Sequence, residues 1–308
     1  MIKLFWNTHN QNKPISNDPI EKDNIGVASM NKLNEEARNH KWGLYHKNNS
    51  DKWIYEILSK VQFKVIQSEK DLDKDDILII VDSSVEKRGD LYTKLTLICS
   101  KIFLIHLGDE NDSYDLTSIY DNFDFVWRTF CLNKYFNNKK VSCLPIGYKS
   151  GVLFNKEIKE RNYKWSFIGT PHKSSRHDLL FQLSDIKPSF IHKTTKFDEK
   201  IINSHEMNKV LSSTEFIPCS NGFVHPETYR IYEALQCGCI PIVENTYKYY
   251  DRLFPKNPFL KVDKWIEAKS IIKKWKIEKI NHKRKECKMW WAQYKNDLQQ
   301  FISNRINL

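Results

Sequence analysis

FIPCSNGFVHPETYRIYEALQCGCIPIV, residues 216–243, carries the pattern from which the fold is read. An apolar run, FIPC, gives way to a polar loop containing Gly222, a helical pattern follows, and Gly238 leads into a second apolar run, CIPIV. Strand, loop, helix and strand in that order make the unit from which parallel sheets are built. Proline suits the first position of a helix, where the N–H it lacks would have no partner, so the helix is expected to open on Pro226. Glu227, Arg230 and Glu233 then recur every third residue along one side, while Ile231, Ala234 and Leu235 form the apolar face.

An acid, a base and an acid beside a glycine-bearing loop have the chemistry of a nucleotide-diphosphate cradle. The free amides and the positive end of the helix favour an anion. Arg230 adds a fixed, delocalised charge one turn inside, and Glu233 can accept hydrogen bonds from ribose hydroxyls. The competing reading is an exposed ion pair between Arg230 and either glutamate, worth only about 0.3 kcal/mol. Spacing alone does not separate the two.

The same alternation of strand and helix runs through the chain. Strand-like runs fall at 2–6, 63–67, 77–81, 102–106, 125–128 and 141–145 in the first half, with helical patterns at 53–61 and 91–99. The second half repeats the scheme with strands at 165–169, 189–193, 214–219 and 239–243 and helices near 177–184 and 205–213. This predicts two Rossmann-like, doubly wound domains, 1–148 and 149–308, with PIGYKSG (145–151) as the hinge. A closing helix is expected over about 284–304, its Trp290, Trp291 and Tyr294 packing back on the first domain. The polar stretch at 7–24 reads either as a loop near the interdomain cleft or as a disordered surface segment.

Arg230, Glu233, Ala234, Gly238, Ile240 and Pro241 spell R-x-x-E-A-x-x-x-G-x-I-P, which resembles the nucleotide-sugar half of exostosin-like glycosyltransferases. WSFIGTPHKSSRHDLL (165–180) is similar to the opening strand and polar loop of that family's donor domain, and CKMWWAQYKNDLQQFI (287–302) to its closing W-x-x-Y helix. HLGDE (106–110) and LPIGY (144–148) resemble members of the ribitol xylosyltransferase type. One departure bears on the site. Many exostosins carry arginines in the loop before the helix, where this chain has Asn221, Gly222 and His225. The diphosphate would then rest on Arg230 and on the earlier loop with Lys173 and Arg176.

The resemblance implies a GT-B fold, with the donor in the C-terminal domain and the acceptor entering from the N-terminal one. It further implies an inverting, metal-independent transfer from a UDP-sugar, with xylose as the leading guess, to a glycan or polyol-phosphate acceptor. A UDP-sugar epimerase on the same plan is the enzymatic alternative. A nucleotide- or carbohydrate-binding protein without the chemistry is the other.

Inversion needs a base for the acceptor and cationic groups for the departing diphosphate. Asp109 and Glu110 follow the strand at 102–106 and are the candidates for the base. Gly169, Lys173, Ser174 and Arg176 lie on the loop after the strand at 165–169, where Ser174 or Ser175 is expected to cap the next helix. His225 reads either as a donor to a sugar hydroxyl or phosphate or as a packing residue, and Arg128 as the group that reaches out from the first domain. DKDD (73–76) reads as a solvated loop and His106 as pointing into the sheet, so neither a metal nor a cofactor beyond the donor is expected.

Composition sets the outer limits. A chain of 308 residues that is 40% hydrophobic and 13% aromatic can bury two cores and is not disordered. Its longest apolar runs, at 77–81 and 102–105, fall far short of the roughly 20 residues that span a bilayer. The first residues hold no apolar segment of signal-peptide length, which suggests a cytoplasmic protein. Seven cysteines, with Cys237 and Cys239 too close for a zinc knuckle or redox pair, read as buried free thiols. The net charge of +11 is concentrated at 273–288, which reads as a solvated helix face with weak contact to an anionic membrane as a secondary role. No nucleic-acid recognition motif accompanies it.

Overall fold

Apolar runs buried on both faces, the mark of a parallel sheet, form two sheets in this chain. The structure, a computed structural model, describes residues 1–7, 47–154, 161–172, 174–194 and 202–308. Lys173, and the polar stretch beyond Asn7, lie outside the described residues. The chain divides into two units, one of 1–51 and 61–144, the other of 52–60 and 145–308.

The first unit holds six strands: β1 (Ile2–Asn7), β2 (Lys64–Ile66), β3 (Ile77–Asp82), β4 (Lys101–His106), β5 (Phe125–Arg128) and β6 (Val141–Cys143). Their order is β2-β1-β3-β4-β5-β6, and every pairing is parallel. Helix α1 (47–57) precedes β2, α2 (Gly89–Thr96) follows β3, and α3 (Thr117–Tyr120) follows β4. Leu78, Ile80, Leu104 and Val126 from the strands meet Tyr92 and Leu95 of α2 in the core. Asp76, expected in a solvated loop, is instead buried and paired with Lys3 at 2.7 Å. The expectation of free thiols holds for five buried cysteines. Cys131 and Cys143, with Cα atoms 5.2 Å apart, are joined in a disulfide at the β6 edge.

The second unit holds β7 (Tyr163–Gly169), β8 (Ser189–Lys193), β9 (Thr214–Cys219), β10 (Ile240–Glu244) and the short β11 (Leu260–Val262). Their order is β11-β10-β9-β7-β8, again parallel. Helices α4 (Arg176–Gln182), α5 (Ser204–Ser212), α6 (Tyr229–Gln236), α7 (Tyr249–Leu253) and α8 (Trp265–Lys274) connect or flank the strands. Gly238, at φ +70, ends α6, and the Cys239 N–H turns back to Ala234 O at 2.8 Å.

The closing helix α9 runs over Ile277–Asn307, longer than expected. Its aromatic face packs within its own unit. Trp291 stacks on Trp53 at 5.6 Å and donates to Gln236, while Trp290 and Tyr294 meet Phe254 edge-on. Lys295 pairs with Glu56 at 2.7 Å, and Ser303 donates to Lys60 O. The helix thus returns to an early stretch of sequence, but through residues 52–60 that group with its own unit. No helix among the described residues is long and apolar enough to cross a membrane.

Candidate functional site

The strand order of the second sheet reverses at β7, with β8 on one side and β9 and β10 on the other. Ligands of doubly wound sheets bind at such a reversal, beyond the carboxyl ends of the strands. β7 ends there at Gly169 and β9 at Cys219. Helix α4 follows β7 and brings Arg176; α6 follows β9 and brings Arg230.

Both guanidinium groups are drawn inward. Arg176 donates from Nη1 to Thr170 O at 2.8 Å and from Nε to Ser220 Oγ at 3.2 Å. Arg230 donates from Nη2 to Ile168 O at 3.0 Å and lies 5.0 Å from the centre of the Phe167 ring. Its Nη1 is buried with no hydrogen-bond partner among the described residues. Among the described residues no carboxylate forms an ion pair with either arginine, though Glu244 and Glu233 are near enough for their charge to act on Arg176 and Arg230 respectively. Burial, and then the neighbouring Arg230, lower the Arg176 pKa to about 9; burial likewise lowers that of Arg230. Arg176 is buried and Arg230 half-buried; two such cations that repel each other, one with an N–H unpartnered, are costly to hold without an anion. Gly169 makes the approach possible. It sits at φ +141, and a Cβ there would lie 3.0 Å from Arg230 Nη2.

Glu233 lies one turn further along α6, half-buried and without a hydrogen bond or ion pair among the described residues. Burial raises its pKa against the opposing pull of Lys149 and Arg230. Lys149 places Nζ 5.5 Å from the Tyr229 ring centre, at the opening of α6. Sequence reasoning missed this third cation. Its only signal was its place in PIGYKSG, far along the chain from the helix that it joins.

Other expectations need correction. Helix α6 begins at Tyr229, after an extended Thr228 at φ −139, and not at Pro226. The Pro226 carbonyl accepts from Tyr250 at 3.0 Å. Glu227 therefore precedes the helix, is buried, and accepts from Ile146 N at 2.8 Å, Tyr249 OH at 2.9 Å and Tyr232 OH. Its carboxylate is occupied inside the fold and does not face a ligand. His225 is buried too, accepting from Glu227 N at Nδ1 with its ring edge-on to Tyr249. That is a packing role. Neither serine caps α4: Ser174 donates to Asn221 O at 3.0 Å, and Ser175 accepts from Trp265 at 2.8 Å.

In the first unit, HLGDE forms a turn with Asp109 at φ +53. Asp109 accepts from Ser113 N at 2.8 Å and from Arg128 at 2.9 Å, so both carboxylate oxygens are engaged. Arg128, expected to reach outward, is 0% exposed and also donates to Tyr120 OH and Asp109 O. It serves the turn in its own unit. Glu110, the other acid of the motif, is half-exposed. His106 points into the fold as expected, with Nδ1 2.6 Å from Tyr120 OH. Among the described residues no group of three His, Cys, Asp or Glu gathers to hold a metal.

Two doubly wound parallel sheets define the class: an α/β protein of the GT-B glycosyltransferase fold. The whole chain aligns with 90% of a crystal structure of an alpha1,3-fucosyltransferase, at a TM-score of 0.50 and 12% identity. A second such structure, with GDP-fucose, aligns at a TM-score of 0.43 and 14% identity, again over the whole chain and 90% of the other. The RXYLT1 C-terminal domain model matches residues 152–307, just over half of the sequence, and the chain belongs to that glycosyltransferase family. Ribitol-5-phosphate xylosyltransferase 1 of Danio rerio is 28% identical over 163 residues, which are 47% of this chain and 37% of that protein. The chain thus matches little more than a third of that relative's length.

Proposed function

We propose that this chain transfers a sugar from a nucleotide-diphosphate sugar to a hydroxyl acceptor, with the diphosphate seated on Arg176 and Arg230. The observation that supports this reading is the pair of guanidinium groups at the strand reversal, Arg176 buried and Arg230 half-buried with Nη1 unpartnered, neither in an ion pair among the described residues. As the bond between the sugar and the diphosphate breaks, negative charge grows on the departing oxygens, and preorganised donors there stabilise the transition state more than the ground state. Glu233 accepts hydroxyl hydrogen bonds from the nucleotide's ribose. The two arginines supply the charge that a metal ion would otherwise supply, so transfer is metal-independent.

The acceptor's proton goes to Glu110. Asp109, whose two oxygens are taken by Ser113 and Arg128, holds the turn. Attack from the face opposite the diphosphate inverts the anomeric centre. UDP-xylose as donor, and an acceptor bearing ribitol phosphate, follow from the name of the Danio rerio relative. The exposed lysines 274, 276, 279 and 285 support a weak contact with an anionic membrane surface, which vesicle flotation tests. The reading itself is tested by screening nucleotide sugars for diphosphate release and analysing the products. A product lengthened by one sugar is expected. An isomerised donor with unchanged acceptor would establish the epimerase instead.

A further inference from the structure

Beyond the seat, the same edge of the second sheet carries an unexplained feature. β10 ends at Glu244, and in the turn that follows Tyr247 and Lys248 take left-handed backbone angles, at φ +51 and +52. Each such residue costs roughly 1–2 kcal/mol when it is neither glycine nor asparagine. Two in succession form a strained site of the kind that folds keep for function. Neither side chain offsets the strain. Tyr247 is 84% exposed, and neither its ring nor the exposed Lys248 side chain makes a polar or ring contact among the described residues.

The turn is tied to the seat through Asn221. That residue donates from its backbone to Glu244 at 2.8 Å and from Nδ2 to Thr246 Oγ1 at 2.7 Å. Its own carbonyl accepts from Ser174, and the preceding Ser220 accepts from Arg176. Asn221 Oδ1 is buried with no partner among the described residues. Phe223, 72% exposed, stands on the same loop. Neighbouring strands lie about 4.8 Å apart, so the turn after β10 is one strand spacing from the end of β9.

We propose that Tyr247 and Lys248 form a platform for a carbohydrate ring beside the diphosphate seat. The tyrosine face covers the apolar C–H face of the sugar, and the lysine donates to hydroxyls at its edge. An aromatic body flanked by a few polar groups is the usual make-up of a small-molecule site. The inference rests on reading Arg176 and Arg230 as that seat. The ring comes from one of two sources, the donor's own sugar or the acceptor glycan.

Calorimetry with UDP and with UDP-xylose, and acceptor KM, measured on the whole chain, separate them. Tyr247→Ala is expected to leave UDP affinity within about twofold. It should weaken the nucleotide sugar about tenfold if the donor's ring sits there, or raise acceptor KM about tenfold if the acceptor's does. Tyr247→Phe, which keeps the face, should restore most of the loss. Because Tyr247→Gly relieves the strained backbone, it should raise Tm while reproducing the alanine defect, which rules out misfolding as its cause. Unchanged nucleotide-sugar affinity and unchanged acceptor KM in Tyr247→Ala would overturn the platform. An equal loss for UDP and its sugar would also overturn it, because the ring would then hold the nucleoside. The seat fails separately, if Arg230→Met binds UDP as the wild type does.

Discussion

Replacing Arg230 by methionine separates a ligand-binding charge from a structural one, because the two roles predict opposite signs. In the free protein the substitution removes a hydrogen bond to Ile168 O at 3.0 Å and a cation–π contact with Phe167. Those are worth about 1 kcal/mol and 0.5–2 kcal/mol. It also removes a half-buried charge that forms no ion pair among the described residues, has Glu233 as the one carboxylate whose field acts on it, and stands beside Arg176. Replacing buried ions with apolar residues of similar volume is neutral or stabilising by about 1–4 kcal/mol. The free protein should therefore melt at an unchanged or higher temperature. The complex should lose a hydrogen bond to a charged group, about 1.5–3 kcal/mol, which is roughly 10- to 160-fold in UDP affinity. Thermal melts and calorimetric titrations of the same two proteins read both quantities. A lower Tm together with unchanged UDP affinity would refute the reasoning and make Arg230 a staple between α6 and β7.

Burial raises the Glu233 pKa, so the folded state holds its proton more tightly than the unfolded chain. Stability from this group is complete below the ordinary glutamate value of about 4.3 and is lost as pH rises through the higher folded value. Glu233→Gln should therefore raise Tm at pH 8, with the gain vanishing at pH 4; a gain independent of pH would contradict this. Glu110→Gln should lower turnover by about 10²–10⁴ with UDP affinity kept, the usual contribution of a positioned base; transfer at wild-type rates would remove the base from this motif. Asp109→Asn removes the nearer counter-charge of buried Arg128, leaving only Asp112 at 3.9 Å, and should lower stability by up to about 3–5 kcal/mol, read as a fall in Tm; an unchanged Tm would show that the pair carries little. Transfer should persist in excess EDTA, and a strict need for added Mn²⁺ or Mg²⁺ would contradict the role given to the two arginines.

The sheets were legible because central strands such as β3, β4 and β10 are near-continuous apolar runs. β3 and β4 coincide closely with the runs at 77–81 and 102–106. The three-residue β11 escaped because LKV at a sheet edge gives neither length nor alternation. The arginines and Glu233 were legible as types at a helical spacing, and their place at the reversal followed from the strand order. Glu227 was misread because its partners are Ile146, Tyr232 and Tyr249. Ile146 lies 81 residues away, and no local pattern announces it. The same holds for Arg128 and Asp109, which meet across 19 residues and bury each other. Pro226 was a sound local signal for a helix start, but the carboxylate beside it was drawn to those distant donors, and the backbone stays extended to Thr228. A lysine in a hinge-like stretch gave no hint that it would stand at the head of α6.

The central claim is that the arginine seat holds the diphosphate of a sugar donor. Its most direct test is calorimetric titration of the whole chain with UDP, GDP and inorganic pyrophosphate, repeated with Arg176→Met and Arg230→Met. The account predicts that the wild type binds at least one nucleoside diphosphate and pyrophosphate, and that each substitution weakens both by about tenfold or more. Nucleoside diphosphate binding that survives both substitutions unchanged would contradict it, as would a wild type that binds none of the three.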